Sequence, residues 1–140
     1  MTITTTTHIN FRGQARDALH YYQSVFGGQV SLFTYAEAQR AKSADQNDLI
    51  TWGQVLSDSG FHVMVYDVQP ERSWSAGEIP FFVSVRGKDA AEIQGYWDKL
   101  AEGSTVIEAL GPSGWSPLYG MVKDRFGVTW VMDVEVAYAG

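Results

Sequence analysis

Two rhythms of apolar and polar residues run along the chain. One repeats every second residue and marks strands; the other repeats every three to four and marks helices. Ile9 and Phe11 alternate with His8, Asn10 and Arg12, which predicts a first strand behind a threonine-rich lead-in at residues 2–7. Between residues 16 and 26, Ala18, Leu19, Tyr22, Val25 and Phe26 fall on one helical stripe, closed by Gly27-Gly28. Residues 29–35 predict a strand, and the polar, alanine-rich stretch 36–48 a loop or short helix. Residues 49–57 and 61–67 predict a hairpin turning at Asp58-Ser59-Gly60. A loop holding Pro70, Trp74 and Gly77 follows. Residues 79–86 then predict a fifth strand. A second helix opens at an Asp89 cap, carries Ala91, Ile93, Tyr96, Trp97 and Leu100, and ends near Gly103. Strands are predicted at 105–110, 118–123 and 128–135, with loops at 111–117 and 124–127.

The element order is βαβββ, written twice. An internal repeat of this kind predicts an α+β fold in a single domain over residues 1–140, with module one at about 7–68 and module two at about 79–136. Each half ends in a hairpin whose turn starts at Asp and ends at Gly, which sets Asp58 opposite Asp124.

Strand phase sorts the faces. Val128, Trp130, Met132 and Val134 suit a sheet–helix core, leaving Thr129, Val131, Asp133 and Glu135 on the other side. Phe81, Val83 and Val85 are assigned inward, with Phe82, Ser84 and Arg86 opposite. Ile9 and Phe11 are assigned inward, with His8, Asn10 and Arg12 opposite. In the third strand Trp52, Gln54 and Leu56 oppose Thr51, Gly53 and Val55, with the phase open. Tyr119 and Met121 share a face that suits either the core or a cavity. The second face therefore mixes aromatic, amide, imidazole and guanidinium groups. That is the composition of a ligand cavity, and equally of a half-solvated sheet. Trp74 and Trp115 sit in loops suited to capping such a cavity. Arg12 and Arg86 suit an anion clamp or salt bridges, and Asp133 and Glu135 are expected to be solvated.

Composition narrows the chemistry. The chain has no cysteine, and its 10 Lys+Arg against 16 Asp+Glu give a formal charge of −6. Disulfides, thiolate nucleophiles and cysteine-based metal centres are excluded. The acidic balance argues against nucleic acid, which needs clustered Lys and Arg, and leans toward a neutral or cationic small molecule. No apolar run reaches the roughly 18 residues of a membrane-spanning helix, and no signal peptide is evident. The expectation is a cytoplasmic protein with no membrane partner.

The segments Phe11-Arg12-Gly13-Gln14-Ala15, Tyr21-Tyr22-Gln23-Ser24-Val25-Phe26-Gly27-Gly28 and Tyr119-Gly120-Met121-Val122-Lys123-Asp124-Arg125-Phe126-Gly127-Val128-Thr129-Trp130 carry a family likeness. The chain resembles the vicinal-oxygen-chelate superfamily of glyoxalase, bleomycin-resistance and extradiol-dioxygenase proteins. More narrowly it resembles the PhnB-like, demethylubiquinone-methyltransferase-like branch. The likeness spans about residues 8–134 and implies two βαβββ modules forming a curved mixed sheet around a central cavity, usually in a homodimer. It also implies divalent-metal ligands on the first, third, fifth and last strands. Those positions fall on His8 or Thr7, Gln54, Pro80 and Val131. Pro80 and Val131 have no side-chain donor, and a stable site generally needs three protein ligands, so neither a metal nor any other cofactor is expected.

The expected function is metal-free binding of an unidentified small molecule. Its contacts are expected from His8, Asn10, Trp52, Gln54, Phe82, Ser84, Tyr119, Met121 and Val131. The alternative is an enzyme of the same fold, of lyase, isomerase or dioxygenase type, using His8 as acid–base or partial metal ligand. No nucleophile elbow, phosphate-binding loop or glycine-rich strand–helix turn is present.

Overall fold

The apolar stripe of the first predicted helix forms helix α1 (Ala15–Phe26), and its Ala15, Ala18, Leu19, Tyr22, Val25 and Phe26 are buried. Gly27, at φ 76°, closes it in a conformation that most side chains resist. Helix α2 (Ala90–Ala101) buries Ile93, Trp97 and Leu100, and its Asp89 cap accepts from the Ala91 amide at 3.0 Å. The computed structural model describes residues 3–136; Thr2 of the threonine-rich lead-in lies outside them.

The chain divides into two units, Met1–Ala76 and Gly77–Gly140. In unit 1, strands β1 (Thr7–Phe11), β2 (Gln29–Thr34), β3 (Ile50–Leu56) and β4 (His62–Asp67) form a sheet in the order β1-β4-β3-β2. A short 3-10 turn, Ala44–Gln46, interrupts the polar stretch before β3. In unit 2, β5 (Val83–Gly87), β6 (Thr105–Gly111), β7 (Tyr119–Lys123) and β8 (Thr129–Val134) repeat the arrangement as β5-β8-β7-β6. The outer pairs β1–β4 and β5–β8 are parallel and the others antiparallel. The architecture is thus α+β, with one mixed four-stranded sheet and one long helix per unit.

The two cores are built alike. Val55, Val63 and Val65 are buried on the helix side of sheet 1, and Val122, Trp130 and Met132 on that of sheet 2. Each sheet has a glycine facing a large side chain of its helix. A Cβ on Gly53 would lie 2.5 Å from Leu19 Cδ1, and one on Gly120 would lie 2.8 Å from the Trp97 ring.

The hairpins set the correspondence between the halves. Ser57 N bonds Phe61 O at 3.0 Å and Gly60 N bonds Ser57 O; Asp124 N bonds Val128 O at 2.8 Å and Gly127 N bonds Asp124 O. The equivalent turns are therefore residues 57–60 and 124–127. This corrects the Asp58–Asp124 alignment by one residue: Ser57 is the counterpart of Asp124, and Met64 that of Val131.

Two further expectations change. The fifth strand begins at Val83 rather than residue 79, because Ile79 has φ 47° and Pro80 lacks a ladder N–H. Phe81 therefore precedes the strand at 85% exposure and does not join the core. Asp133 is buried rather than solvated, and its Oδ1 accepts from Arg86 Nε at 3.0 Å.

Candidate functional site

Each sheet has one face against its helix and one turned away. On sheet 1 the outer face is set by β4, where Val63, Val65 and Asp67 point to the helix, leaving His62, Met64 and Tyr66 outward. The ladder extends these into rows. His8 pairs with Met64, Met64 with Gln54, and Gln54 with Ser31. One step along, Asn10 pairs with Tyr66 and Phe33 with Trp52. The open phase of β3 is thereby settled, with Trp52 and Gln54 outward and Gly53 and Val55 inward.

This face is aromatic with polar groups set into it. His8 meets Tyr66 edge-on at 5.7 Å, and Phe33 lies 6.2 Å from Trp52. Trp52 Nε1 donates to Met64 Sδ at 3.3 Å. Gln54 Oε1 lies 2.7 Å from His62 Nε2, and His62 Nδ1 lies 3.2 Å from Thr6 Oγ1. Partial burial lowers the pKa of His8 below its ordinary value of 6.5, so the imidazole is neutral at neutral pH.

One carboxylate anchors the rim of this sheet. Asp67 Oδ1 accepts from the Gly13 and Ala15 amides at 2.8 and 3.0 Å, and Oδ2 from the Ile50 amide at 3.0 Å. It thereby ties the end of β4 to the start of α1 and to β3. Tyr35 hydroxyl donates to the Asp67 carbonyl at 2.7 Å. Burial, foremost, raises the Tyr35 pKa.

The outer face of sheet 2 has other contents. Ser84, Val131, Met121 and Glu108 form one row. Arg86, Asp133 and Tyr119 form the next, with Arg86 and Asp133 paired. Trp115 packs edge-on against Tyr119 at 4.9 Å. Burial, then Glu108, raises the Tyr119 pKa. Phe82 lies one residue ahead of β5 and is exposed.

The other loop residues take structural partners. Arg12 lies over the Trp74 ring at 5.8 Å and donates to the Arg72 carbonyl. The structure thus groups His8, Asn10, Trp52 and Gln54 on unit 1, and Ser84, Tyr119, Met121 and Val131 on unit 2. Sequence reasoning passed over Met64, Tyr66 and the role of His62. The alternation His62-Val63-Met64-Val65-Tyr66 was the available signal.

The metal positions implied by the family likeness do not fit a metal. Pro80 lies outside β5, and the residue paired with Val131 is Ser84. By the same pairing the partner of His8 is Met64. Valine has no donor, and a thioether and a hydroxyl suit neither zinc nor a hard divalent ion. Among the described residues, no three His, Asp, Glu or Cys side chains gather into a metal-binding group.

Comparison with known proteins agrees with this architecture. The crystal structure of protein PA1353 from Pseudomonas aeruginosa matches with a TM-score of 0.83 at 28% identity, over 96% of this chain and 98% of that one. Protein YjdN of Escherichia coli K12 is 26% identical, over 91% of this chain and 92% of its own. A Bacillus cereus structure described as a putative 3-demethylubiquinone-9 3-methyltransferase, PhnB protein, matches with a TM-score of 0.73 at 21% identity, over 95% and 100% of the two chains. The fold is that of glyoxalase/bleomycin-resistance/dioxygenase-type domains. The family model described as 3-demethylubiquinone-9 3-methyltransferase matches residues 3–132, and the chain belongs to that family.

Proposed function

We propose that the protein is a metal-free binder of a flat small molecule, seated on the outer face of sheet 1. One observation carries this reading. His8, Asn10, Tyr66 hydroxyl and the Gln54 amide nitrogen stand among the rings of Tyr66, Trp52 and Phe33. None of these four polar groups has a hydrogen-bond partner among the described residues. A platform of rings with a few uncommitted polar groups is how small-molecule sites combine affinity with orientation. Sheet 2 carries Ser84, Val131, Met121 and Glu108 on its corresponding row, a row without an aromatic ring. The formal charge of −6 favours a neutral or cationic ligand.

The family's descriptive name points to methyl transfer, and the β1–α1 turn lacks the glycine-rich motif of a Rossmann nucleotide site. The β1–α1 turn has Gly13 as its one glycine, and the Gly13 and Ala15 amides are already bonded to Asp67. A second reading, general-base chemistry at His8, is favoured by ring nitrogens that have no hydrogen-bond partner among the described residues. The resemblance also supports a homodimer, which sedimentation equilibrium tests.

The main reading is tested by a thermal-shift screen of flat neutral and cationic compounds on chelator-free protein. Hits are expected to raise Tm in proportion to log concentration and to be lost in Trp52→Ala. Elemental analysis after incubation with zinc, nickel and manganese is expected to show substoichiometric metal. One metal per chain, or no hit that depends on Trp52, contradicts the proposal.

A further inference from the structure

Gln54 is the polar group at the centre of the sheet 1 face, and its amide oxygen is placed against His62. Its Oε1 faces His62 Nε2 at 2.7 Å, and an amide oxygen only accepts. His62 must then carry a proton on Nε2. In the neutral imidazole this leaves Nδ1 as an acceptor, and the Thr6 hydroxyl, 3.2 Å away, is placed to donate to it. The chain of bonds runs in one direction, from Thr6 to His62 to Gln54. Its far end is the Gln54 NH2, a pair of N–H donors with no partner among the described residues.

The relay belongs to one half of the duplication. The counterparts of Thr6, His62 and Gln54 in unit 2 are Phe82, Thr129 and Met121, none of which can form it.

Resting on the reading that this face binds a ligand, we propose that Thr6 and His62 are positioning residues. They fix Gln54 with its NH2 toward the ligand, so that the site selects flat molecules presenting an acceptor, a carbonyl oxygen above all. Trp52 holds the flat part and the Gln54 amide reads the acceptor. A ligand of the same shape without the acceptor leaves the amide desolvated and unpaired.

The test uses the full chain and two probes of one shape, 2-acetylnaphthalene and 2-ethylnaphthalene. Titration followed by 15N NMR is expected to show about fivefold tighter binding of the ketone, the worth of one neutral hydrogen bond. In Thr6→Val the relay loses its donor, Gln54 turns either way, and the preference falls to about twofold or less. Thr6→Ser keeps a hydroxyl and restores it. His62→Phe abolishes the preference while the ethyl probe keeps its affinity. Long-range 1H–15N correlation on the free protein is expected to show the His62 Nε2–H tautomer, converted to a tautomeric mixture in Thr6→Val. An Nδ1–H tautomer in the wild type overturns the proposal, as does a preference unmoved by Thr6→Val and His62→Phe. If neither probe binds, the binding reading of the face fails, and an Nε2–H tautomer found with that result makes the relay a purely structural feature and overturns its role in selection.

Discussion

The two units share a topology and differ in what their outer sheet faces leave unspent. On sheet 2 the strongest polar groups are matched to each other: Arg86 is paired with Asp133, and Glu108 acts on Tyr119. On sheet 1 the polar groups are matched only on one side. His62 satisfies Gln54 Oε1 and leaves the Gln54 nitrogen, His8 and Asn10 uncommitted among aromatic rings. Duplication supplied two equal scaffolds. The difference teaches that the fold itself needs neither pattern, so the unspent hydrogen-bonding capacity of sheet 1 is a property of the site.

The corners differ in the same way, and breaking them gives the largest expected effects. Unit 1 ties β4, β3 and α1 together through Asp67, whose counterpart in unit 2 is Val134. Unit 2 ties its hairpin through Asp124, which accepts from the Phe126 and Val128 amides and from Trp130 Nε1. The counterpart, Ser57, accepts from the Phe61 amide and shares a hydrogen bond with Ser59 Oγ at 2.8 Å. Asp67→Ala leaves three amides without their acceptor and is expected to cost about 3 kcal/mol, on the order of 10 °C in Tm. Asp124→Ala is expected to cost a similar amount, and Ser57→Ala about 1 kcal/mol. Urea denaturation of the three variants checks the order. Equal losses from Ser57→Ala and Asp124→Ala would erase this part of the contrast.

The glycine contacts sharpen the comparison at smaller scale. An added methyl at Gly53 meets the far end of Leu19, which can rotate away. One at Gly120 meets the Trp97 ring and the Leu110 Cα, and neither yields easily. Gly120→Ala is therefore expected to cost about 2–3 kcal/mol and Gly53→Ala about 1 kcal/mol, read from the same denaturation curves. The reverse order would mean that the unit 1 core is the tighter of the two.

Binding should divide along the same line. Trp52→Ala is expected to weaken ligand binding about tenfold or more, as loss of a ring platform does. Met121→Leu on sheet 2 is expected to change it less than about twofold. Isothermal titration with a screening hit reads both.

The smallest effect is the pH response of His8. Its folded pKa lies below the ordinary 6.5, so the unfolded chain binds the proton more readily. Stability is then full above about 6.5 and falls as pH drops toward the lowered value. Between pH 7 and 5, His8→Asn should lose less Tm than the wild type. An identical pH profile in the two proteins would remove the burial argument for His8.

Much of this was legible in the residues. The double βαβββ order and both helices follow from periodicity, because each unit buries one face of its sheet and one stripe of its helix. The Asp89 cap was legible for the same local reason. The hairpin correspondence slipped by one because Asp58 and Asp124 match in identity but not in role, and Ser57 does the turn-capping in unit 1. The start of β5 was missed because Ile79 takes a backbone conformation its sequence gives no sign of. The partners of Asp67 lie 52 and 54 residues before it and 17 before it in another strand, and no local pattern reports such contacts. The strand phases named His8, Asn10, Trp52 and Gln54. The relay needed β4 as well, which brings His62 against Gln54.

The most direct test of the account is a residue-resolved 15N NMR titration of the full chain with 2-acetylnaphthalene. The account predicts the largest shifts at residues 7–10, 52–54 and 62–66, including the Gln54 side-chain NH2. Shifts as large or larger at residues 83–87, 119–123 and 129–134 would contradict it and move the site to the other half of the duplication.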